Sequence, residues 1–596
     1  MEVYKENKRD PLCGISIDPE TTPYKATLWG KTYFFCSEYD IHHFLSRPKI
    51  AYFSMDIGIE SEIPTYSGGL GVLAGDTIKS CADLNIPLVA ITLSSRKGYL
   101  KQKLTERGEQ LEYPDEWDPS KLLLPVPVQV TLKIDERNVR VKAWLYENWS
   151  PIGSMVPVLF LDTNIEDNTS EDRQITDALY GGDEIYRLKQ EIVLGIGGFR
   201  ILEALNVNVK NYHMNEGHSS LLTLELLNRN NLDARKVREY CVFTTHTPID
   251  AAFDKFSYDV ARRLLGTEFP LDTFRQYAGQ DRLNMTLLAL NLSKYVNGVT
   301  DSHMELSRKM FPGYRINAIT NGVHSYSWTC EYFRTLFDKY IPGWANKPGL
   351  LVRADEIPDD EVWQTHKLAK ERLLSFVSEK TSVKMDPDKL ILGSARRATG
   401  YKRGGMIFSD LERLKKANSR GNLQLIFAGK AHPRDQSGKE VIRKIFECKN
   451  MLKDDIDIAY LGDYDIDIAA KMTSGVDVWL NTPLPPYEAS GTSGMKAAHN
   501  GVINFSVLDG WWLEGCIEGV TGWAIGPKPS EPLSENEKRM RELDDLYSKL
   551  EYIILPMFYE NRHEWIRMMK NSISKVAYYF NSHRMIREYV TQAYMY

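Results

Sequence analysis

Cysteine is scarce in this 596-residue chain: Cys13, Cys36, Cys81, Cys241, Cys330, Cys448 and Cys516 are odd in number and scattered. That argues against a disulfide framework, so reduced thiols are expected. No run of eighteen apolar residues occurs, and the opening MEVYKENKRD lacks an apolar core. Neither membrane insertion nor export is signalled, and the expected location is cytoplasmic. Charge of one sign is also missing, with Lys+Arg 74 against Asp+Glu 80 and a net charge of −6. A general nucleic-acid surface is therefore not expected, and any anion site must be local. Disorder is excluded by 43% hydrophobic residues, and the length calls for two or more large domains.

What is present is alternation. Short apolar runs, "KIAYFSMDIG", "PLVAITL", "VPVLFLD", "YCVFTTH" and "RINAITNGVH", alternate with amphipathic helices in the first half; "LILGSARR", "LQLIFAGK", "IDIAYLG", "VDVWLNT" and "GVINFSVLDG" do so in the second. Each reads as a buried strand, which predicts an α/β protein with two Rossmann-like domains and mostly parallel sheets. Ligands in such sheets bind beyond the carboxyl ends of the strands, so the residues that follow the strands are the candidates. The expected divisions are 1–48, 49–325 and 326–596, with the last helix returning to the middle domain.

Residues 1–48 differ from the rest. Two short strand-like runs, turns at Asp18, Pro19 and Gly30, and a helix from about Ser37 to Leu45 suggest a separate module. D-P-x-C-G followed by G-K-x-Y-x-F-C-S-E resembles the YHS (TRASH-like) domain, a small unit associated with zinc or copper. The resemblance implies Cys13 and Cys36 as metal ligands, with Asp40 where many members carry a further cysteine and His42 and His43 close behind. A mixed Cys/His/Asp set suits zinc or another transition metal; a module that has kept its fold without metal is the alternative.

Four post-strand stretches carry chemistry. "SGGLGVLAGD" (67–76) opens a helix with exposed amides, although such a turn also serves mere helix packing. "FTTHTPIDAAF" sets His246 directly after a strand, where a structural histidine is the plainer alternative. "GSARRATGYKRG" gathers Arg396, Arg397, Lys402 and Arg403 after an apolar strand, which favours a buried anion site over a solvated patch. "EASGTSGMKAAHNG" (488–501) places Lys496 behind Glu488, Ser490, Thr492 and the amides of residues 491–494. A lysine at the edge of an apolar cleft can lose its proton and form a Schiff base while the turn holds a phosphate. A capped helix with an exposed lysine is the alternative.

"EASGTSGMKAAHNG" followed by "VLDG" resembles the pyridoxal-phosphate signature of the glycogen/starch (α-glucan, maltodextrin) phosphorylase family. "AYFSMDIG", "LYGGDEIYRLKQEIVLG", "THT", "ITNGVHSYSW", "RRATGYKR", "IFAGKAHP" and "YDIDIAAK" extend the likeness along the chain, and its shortness resembles the bacterial and archaeal members. The resemblance implies a GT-B fold of two Rossmann-like domains facing a central cleft, and reversible phosphorolysis of α-1,4-glucan by inorganic phosphate to glucose 1-phosphate with retention. It implies pyridoxal 5′-phosphate on Lys496, with Arg396, Thr492 and Ser493 on its phosphate and Tyr464 and Trp328 nearby. Arg397, Lys402, Gly69 and Gly491 would hold the substrate phosphate; His246, Asn321, Glu488, Ser490 and Leu70 would hold the sugar. In the family the cofactor phosphate passes a proton to the substrate phosphate, so no carboxylate pair is needed. Gly58 and Asp465 depart from the animal enzymes, which carry tyrosine and arginine there. A homo-oligomer, a dimer, is expected. A nucleotide-sugar glycosyltransferase of the glycogen-synthase type would use the same basic residues without needing Lys496; a metal-responsive binding protein on a decayed scaffold would have no reason to keep Arg397, Lys402, Glu488 and Lys496.

Overall fold

The computed structural model describes residues 9–47 and 49–595; residues 1–8 of the opening decapeptide lie outside it. The chain forms two compact units. The first takes the chain up to Leu100, Pro114–Ile319 and the stretch from Ile586; the second takes Lys101–Tyr113 and Thr320–Met585.

The first unit is built on a nine-stranded sheet. Its order is Asn317–Ala318, Tyr295–Gly298, Cys241–Thr244, Val209–Asn215, Lys49–Ser54, Leu88–Leu93, Met155–Asp162, Arg137–Trp149, Leu124–Ile134. The first seven strands run parallel. The last two add an antiparallel hairpin that the apolar runs do not announce. Leu124–Ile134 mostly alternates buried and less buried residues, as a strand covered on one face does. Val209–Asn215 is also unannounced, because Asn211, His213 and Asn215 break its apolar run. Their polar groups, all but Asn211 Oδ1, are bonded instead: Asn211 Nδ2 donates to Tyr594 O at 3.1 Å, the His213 ring nitrogens meet Tyr594 Oη at 2.6 Å and Thr244 Oγ1 at 2.9 Å, Asn215 Nδ2 donates to Ser54 Oγ at 3.0 Å and its Oδ1 meets His246 Nε2 at 2.7 Å. Bonded in this way, three polar side chains can sit in a buried strand.

The second unit carries a six-stranded, wholly parallel sheet in the order Asp457–Leu461, Leu423–Ala428, Leu390–Ala395, Val478–Asn481, Ile503–Val507, Gly522–Ile525. Leu390–Ala395 and Leu423–Ala428 are buried at every residue, as strands covered on both faces must be.

The two units divide the chain somewhat differently from the expected bounds. The break falls between Ile319 and Thr320, not at 325/326, because the segment after it is stitched to the end of the second unit. Val323 N–H donates to Phe580 O at 3.2 Å, Ser582 N–H donates to Val323 O at 2.9 Å, and the Arg584 guanidinium donates to the carbonyls of Thr320 and Asn321 at 2.6 and 3.0 Å. The hairpin within 101–113 joins the second unit through two glutamines: Gln102 Nε2 donates to Gly429 O at 3.0 Å, and Gln110 exchanges bonds of 2.9 Å with the backbone of Ala431.

The amino-terminal region likewise does not stand apart. Its hairpin, Lys25–Leu28 with Lys31–Phe34, and its helix, Glu38–Ser46, enclose Leu12, Tyr33, Phe35 and Phe44, but Met155 of the large sheet completes that core. Arg9 donates to Ser150 O and Gly153 O, and Lys31 and Tyr33 both donate to Glu147. Among the described residues no helix is long and apolar enough to cross a membrane.

Candidate active site

In the second unit the predicted residues gather around one buried guanidinium. Arg396 follows Leu390–Ala395 and is held by Asn481, at the end of a neighbouring strand, and by Lys402 O. Its Nε is buried and has no partner. Burial holds this guanidinium below its ordinary pKa, against Glu488, Tyr401 and Tyr464, which act to raise it. Glu488 Oε2 stands 3.9 Å from Arg396 Nη1, which leaves Nε as the donor open to a further anionic ligand. Tyr464 thus lies within electrostatic reach of Arg396, whereas Asp465 caps the helix Ile466–Gly475 through Ile468 N–H at 2.8 Å.

Lys402 is also here, with Nζ 2.6 Å from Glu488 Oε1 and closer still to Oε2. Burial pushes the Glu488 carboxyl up, and Lys402, Arg396 and Arg397 outweigh it, so its pKa is lowered and it is ionised at neutral pH. Arg397 is exposed. Arg403, the fourth member of the basic cluster, is turned away: at φ 48° it donates to Thr482 O and Pro483 O and pairs with Glu542 at 2.6 Å.

Lys496 lies in the short helix Ser493–Ala498 and is 6% exposed, its Nζ 3.9 Å from the Trp328 ring centroid. Asn500 ties the two backbones together. Its Nδ2 donates to Lys496 O at 3.1 Å and to Trp328 O at 2.8 Å, and its Oδ1 accepts from Cys330 N–H at 2.8 Å. Ser493 Oγ accepts from Trp479 Nε1 at 3.0 Å, and Lys496 N–H donates to Thr492 O. A desolvated amine over an indole, with an arginine in the same unit that keeps one buried donor unbonded, fits a phosphorylated carbonyl cofactor such as pyridoxal phosphate.

Ser490 and Gly491 form the turn before this helix, with Gly491 at φ 72°. Asp509 clamps that turn, a role that the quoted "VLDG" did not reveal. Asp509 Oδ2 accepts from Glu488 N–H at 2.9 Å, Oδ1 accepts from Gly510 N–H at 3.0 Å, and Trp511 N–H donates to Ser490 O at 2.9 Å. Burial, with Glu488 adding to it, pushes the Asp509 carboxyl up to about 7 against the two N–H donors. Asn321 is 4% exposed and its Oδ1 has no partner.

The first unit holds the other candidates. Gly69 and Leu70 begin the helix Gly69–Asp83, and a Cβ on Gly69 would meet open space. Gly75 of that helix packs on Gly58, where a Cβ would lie 1.8 Å from the Gly58 carbonyl oxygen, so this approach needs the glycine. His246 follows the strand Cys241–Thr244. Its N–H donates to Glu216 Oε2 at 2.8 Å, and its Nε2 lies 2.7 Å from Asn215 Oδ1. Burial, with His303, His213 and His218 adding to it, lowers its pKa to about 3, so the ring is neutral. Asn215 and Glu216 were not among the expected residues; polar residues closing a strand were their one signal.

The thiols of Cys13 and Cys36 lie 3.8 Å apart, and Asp40 Oδ2 is 3.1 Å from Cys36 Sγ. With Asp10 they offer four ligand atoms, all within 4.8 Å of one another. Two thiolates on a tetrahedral zinc stand about 3.8 Å apart, so the set fits such an ion. Asp40 pushes the Cys36 thiol up to about 12, with burial adding to it, so binding would have to displace its proton. His42 and His43 are not in the cluster: His42 faces Glu38, and His43 stacks on Tyr39.

Parallel α/β sheets with polar groups at the strand ends, and a buried lysine in a unit whose Arg396 keeps a buried donor unbonded, mark an α/β enzyme that handles anions. Comparison with known proteins gives its lineage. A profile described as "Carbohydrate phosphorylase" matches residues 272–518. The maltodextrin phosphorylase of Thermococcus litoralis is 39% identical, over 91% of this chain and 70% of that protein. The glycogen phosphorylase of Aquifex aeolicus is 36% identical, over 92% and 86%; that of Mycobacterium tuberculosis is 34% identical, over 91% and 70%. The chain belongs to the carbohydrate phosphorylase family.

Proposed function

We propose that this protein is an α-glucan phosphorylase, converting terminal α-1,4-linked glucose of maltodextrin, glycogen or starch and inorganic phosphate to glucose 1-phosphate with retention. The observation that carries this is Arg396, whose buried Nε has no partner although Glu488 stands 3.9 Å from its guanidinium, in the unit whose Lys496 amine is desolvated against Trp328. Lys496 would hold pyridoxal phosphate, with Arg396, Thr492 and Ser493 at its phosphate and Tyr464 and Trp328 packing nearby. When bound, the cofactor supplies a phosphate that relays a proton to the substrate phosphate. Lys402 and Arg397 bind the substrate phosphate, with the amides of Gly69 and Gly491. Lys402 Nζ donates to Glu488 Oε1 at 2.6 Å, so a substrate phosphate competes with Glu488 for this amine and frees the carboxylate to accept a sugar hydroxyl. Ser490, Asn321, Leu70 and the neutral His246 supply the remaining sugar contacts. Cations around two neighbouring phosphates reduce their repulsion, which is the main electrostatic demand of the reaction. Two α/β domains, a cytoplasmic location and a homodimer belong to the same proposal.

Glucose 1-phosphate release from maltodextrin and phosphate, by the cofactor-loaded parent and Lys496→Ala side by side, tests this. Release by the parent that vanishes in the variant, together with loss of bound-cofactor absorbance, is expected. A cofactor-loaded parent that releases nothing but transfers glucose from a nucleotide sugar would replace it with the synthase alternative.

We also propose that Asp10, Cys13, Cys36 and Asp40 hold zinc or another transition metal, on the strength of the thiol spacing. Metal analysis of parent and Cys13→Ser/Cys36→Ser protein decides this, and equal content in both would overturn it.

A further inference from the structure

The polar residues that close the central strands of the first unit are wired in sequence. Asn215 pairs in register with Ser54 on one side and Thr244 on the other. Ser54 Oγ donates to Asp56 O at 2.8 Å, so its hydrogen is spent and it receives Asn215 Nδ2–H at 3.0 Å. The amide of Asn215 is thereby oriented with its oxygen toward His246, 2.7 Å from Nε2. An acceptor at that distance requires the hydrogen on Nε2. A neutral ring with hydrogen on Nε2 carries its lone pair on Nδ1, and among the described residues that atom makes no hydrogen bond. Glu216 fixes the backbone beneath. At φ 70°, unusual for a non-glycine residue, its Oε2 accepts from His246 N–H and from Thr247 Oγ1–H at 2.9 Å. The other titratable groups around the ring are His303, His213 and His218.

We infer that Asn215 is a positioning residue that holds His246 as the Nε2–H tautomer and so presents the Nδ1 lone pair as the acceptor for a hydroxyl of the glucosyl unit. Ser54, whose hydrogen is committed to the backbone, sets the orientation of Asn215. This rests on the assignment of His246 to the sugar, and it adds a requirement: the substrate must donate a hydrogen bond at this point. A ring of the other tautomer offers a donor there and fails to accept.

The full-length chain labelled with 15N-histidine gives the direct test, the His246 signals being identified by their loss in His246→Gln. The parent should show an unprotonated Nδ1 at pH 7.5, and Asn215→Leu should show a mixture of tautomers. In phosphorolysis, Asn215→Leu should lower kcat/KM by about 10–100-fold. Asn215→Asp, which keeps the acceptor, should recover most of that at pH 8. Matching circular-dichroism melts guard against misfolding; if the leucine variant melts early, the parent tautomer together with the aspartate variant decides. A protonated Nδ1 in the parent, or Asn215→Leu within twofold of the parent, would overturn the inference. A parent without phosphorolysis would sink the proposed function alone, since the tautomer is read without turnover.

Discussion

Replacing Asp509 by asparagine should flatten the dependence of stability on pH, by an amount that its surroundings determine. The carboxyl is 5% exposed, lies beside Glu488, and is pushed up to about 7 from an ordinary 3.8. A carboxyl with a raised pKa binds its proton more tightly folded than unfolded. Its contribution to stability is therefore whole below about pH 4 and is lost as pH rises through about 7. Between pH 5 and pH 8 the linked loss is about 2.5 kcal/mol. Asparagine does not ionise and escapes this loss, but it starts lower. Two N–H groups, of Glu488 and Gly510, point at the two oxygens of Asp509, and an amide can accept only one of them, which costs about 1–2 kcal/mol. The variant should thus be less stable than the parent at pH 5 and should draw level or overtake it by pH 8. Urea unfolding followed by tryptophan fluorescence reads this where it matters, since Trp511 and Trp512 adjoin the turn. A stability difference between parent and variant that stays constant from pH 5 to pH 8 would refute the reasoning.

Other consequences can be checked with the same preparations. Gly510→Ala would set a Cβ 2.3 Å from Ser490 O at φ 53°; expect about 2–3 kcal/mol of lost stability and a raised KM for phosphate, with an unchanged KM counting against the clamp. Asp477 accepts from Lys370 Nζ at 2.7 Å, His366 Nε2 at 2.9 Å and Ile391 N–H at 2.7 Å, all buried. Asp477→Asn should lower the unfolding free energy by about 3–5 kcal/mol, and a loss below about 1 kcal/mol would show that the lysine finds water. Arg397→Ala and Arg403→Ala should behave oppositely: the first raises KM for phosphate with the urea midpoint intact, and the second lowers the midpoint by stranding Glu542 while KM holds.

The strands were legible where apolar residues run together, because a strand covered on both faces leaves no room for polar ones. Nine of the ten expected runs carry a strand of four or more residues, Lys49–Ser54, Cys241–Thr244 and Val478–Asn481 among them; "RINAITNGVH" carries only Asn317–Ala318. Val209–Asn215 stayed hidden because what makes its polar residues tolerable, Tyr594, lies at the other end of the chain. No local pattern carries that information. For the same reason the amino-terminal region reads as separate when its core in fact needs Met155.

The site divides along a similar line. Residues whose role is intrinsic to their chemistry, such as Lys496, Arg396, Lys402 and Glu488, could be named from their motifs. Those whose role is to aim another group could not. Asn215, Glu216, Asn481, Asn500 and Asp509 are short polar residues near strand and helix ends, and each acts through a partner brought by register or by the fold. The basic cluster shows how far a motif reaches. Arg396 and Arg403 look interchangeable in "RRATGYKR", yet one follows a central strand and keeps a donor unsatisfied in the interior, whereas the other enters the left-handed region at φ 48° and closes on Glu542. Charge in a sequence announces an anion site; the backbone angle at one residue decides which charge is left to bind the anion.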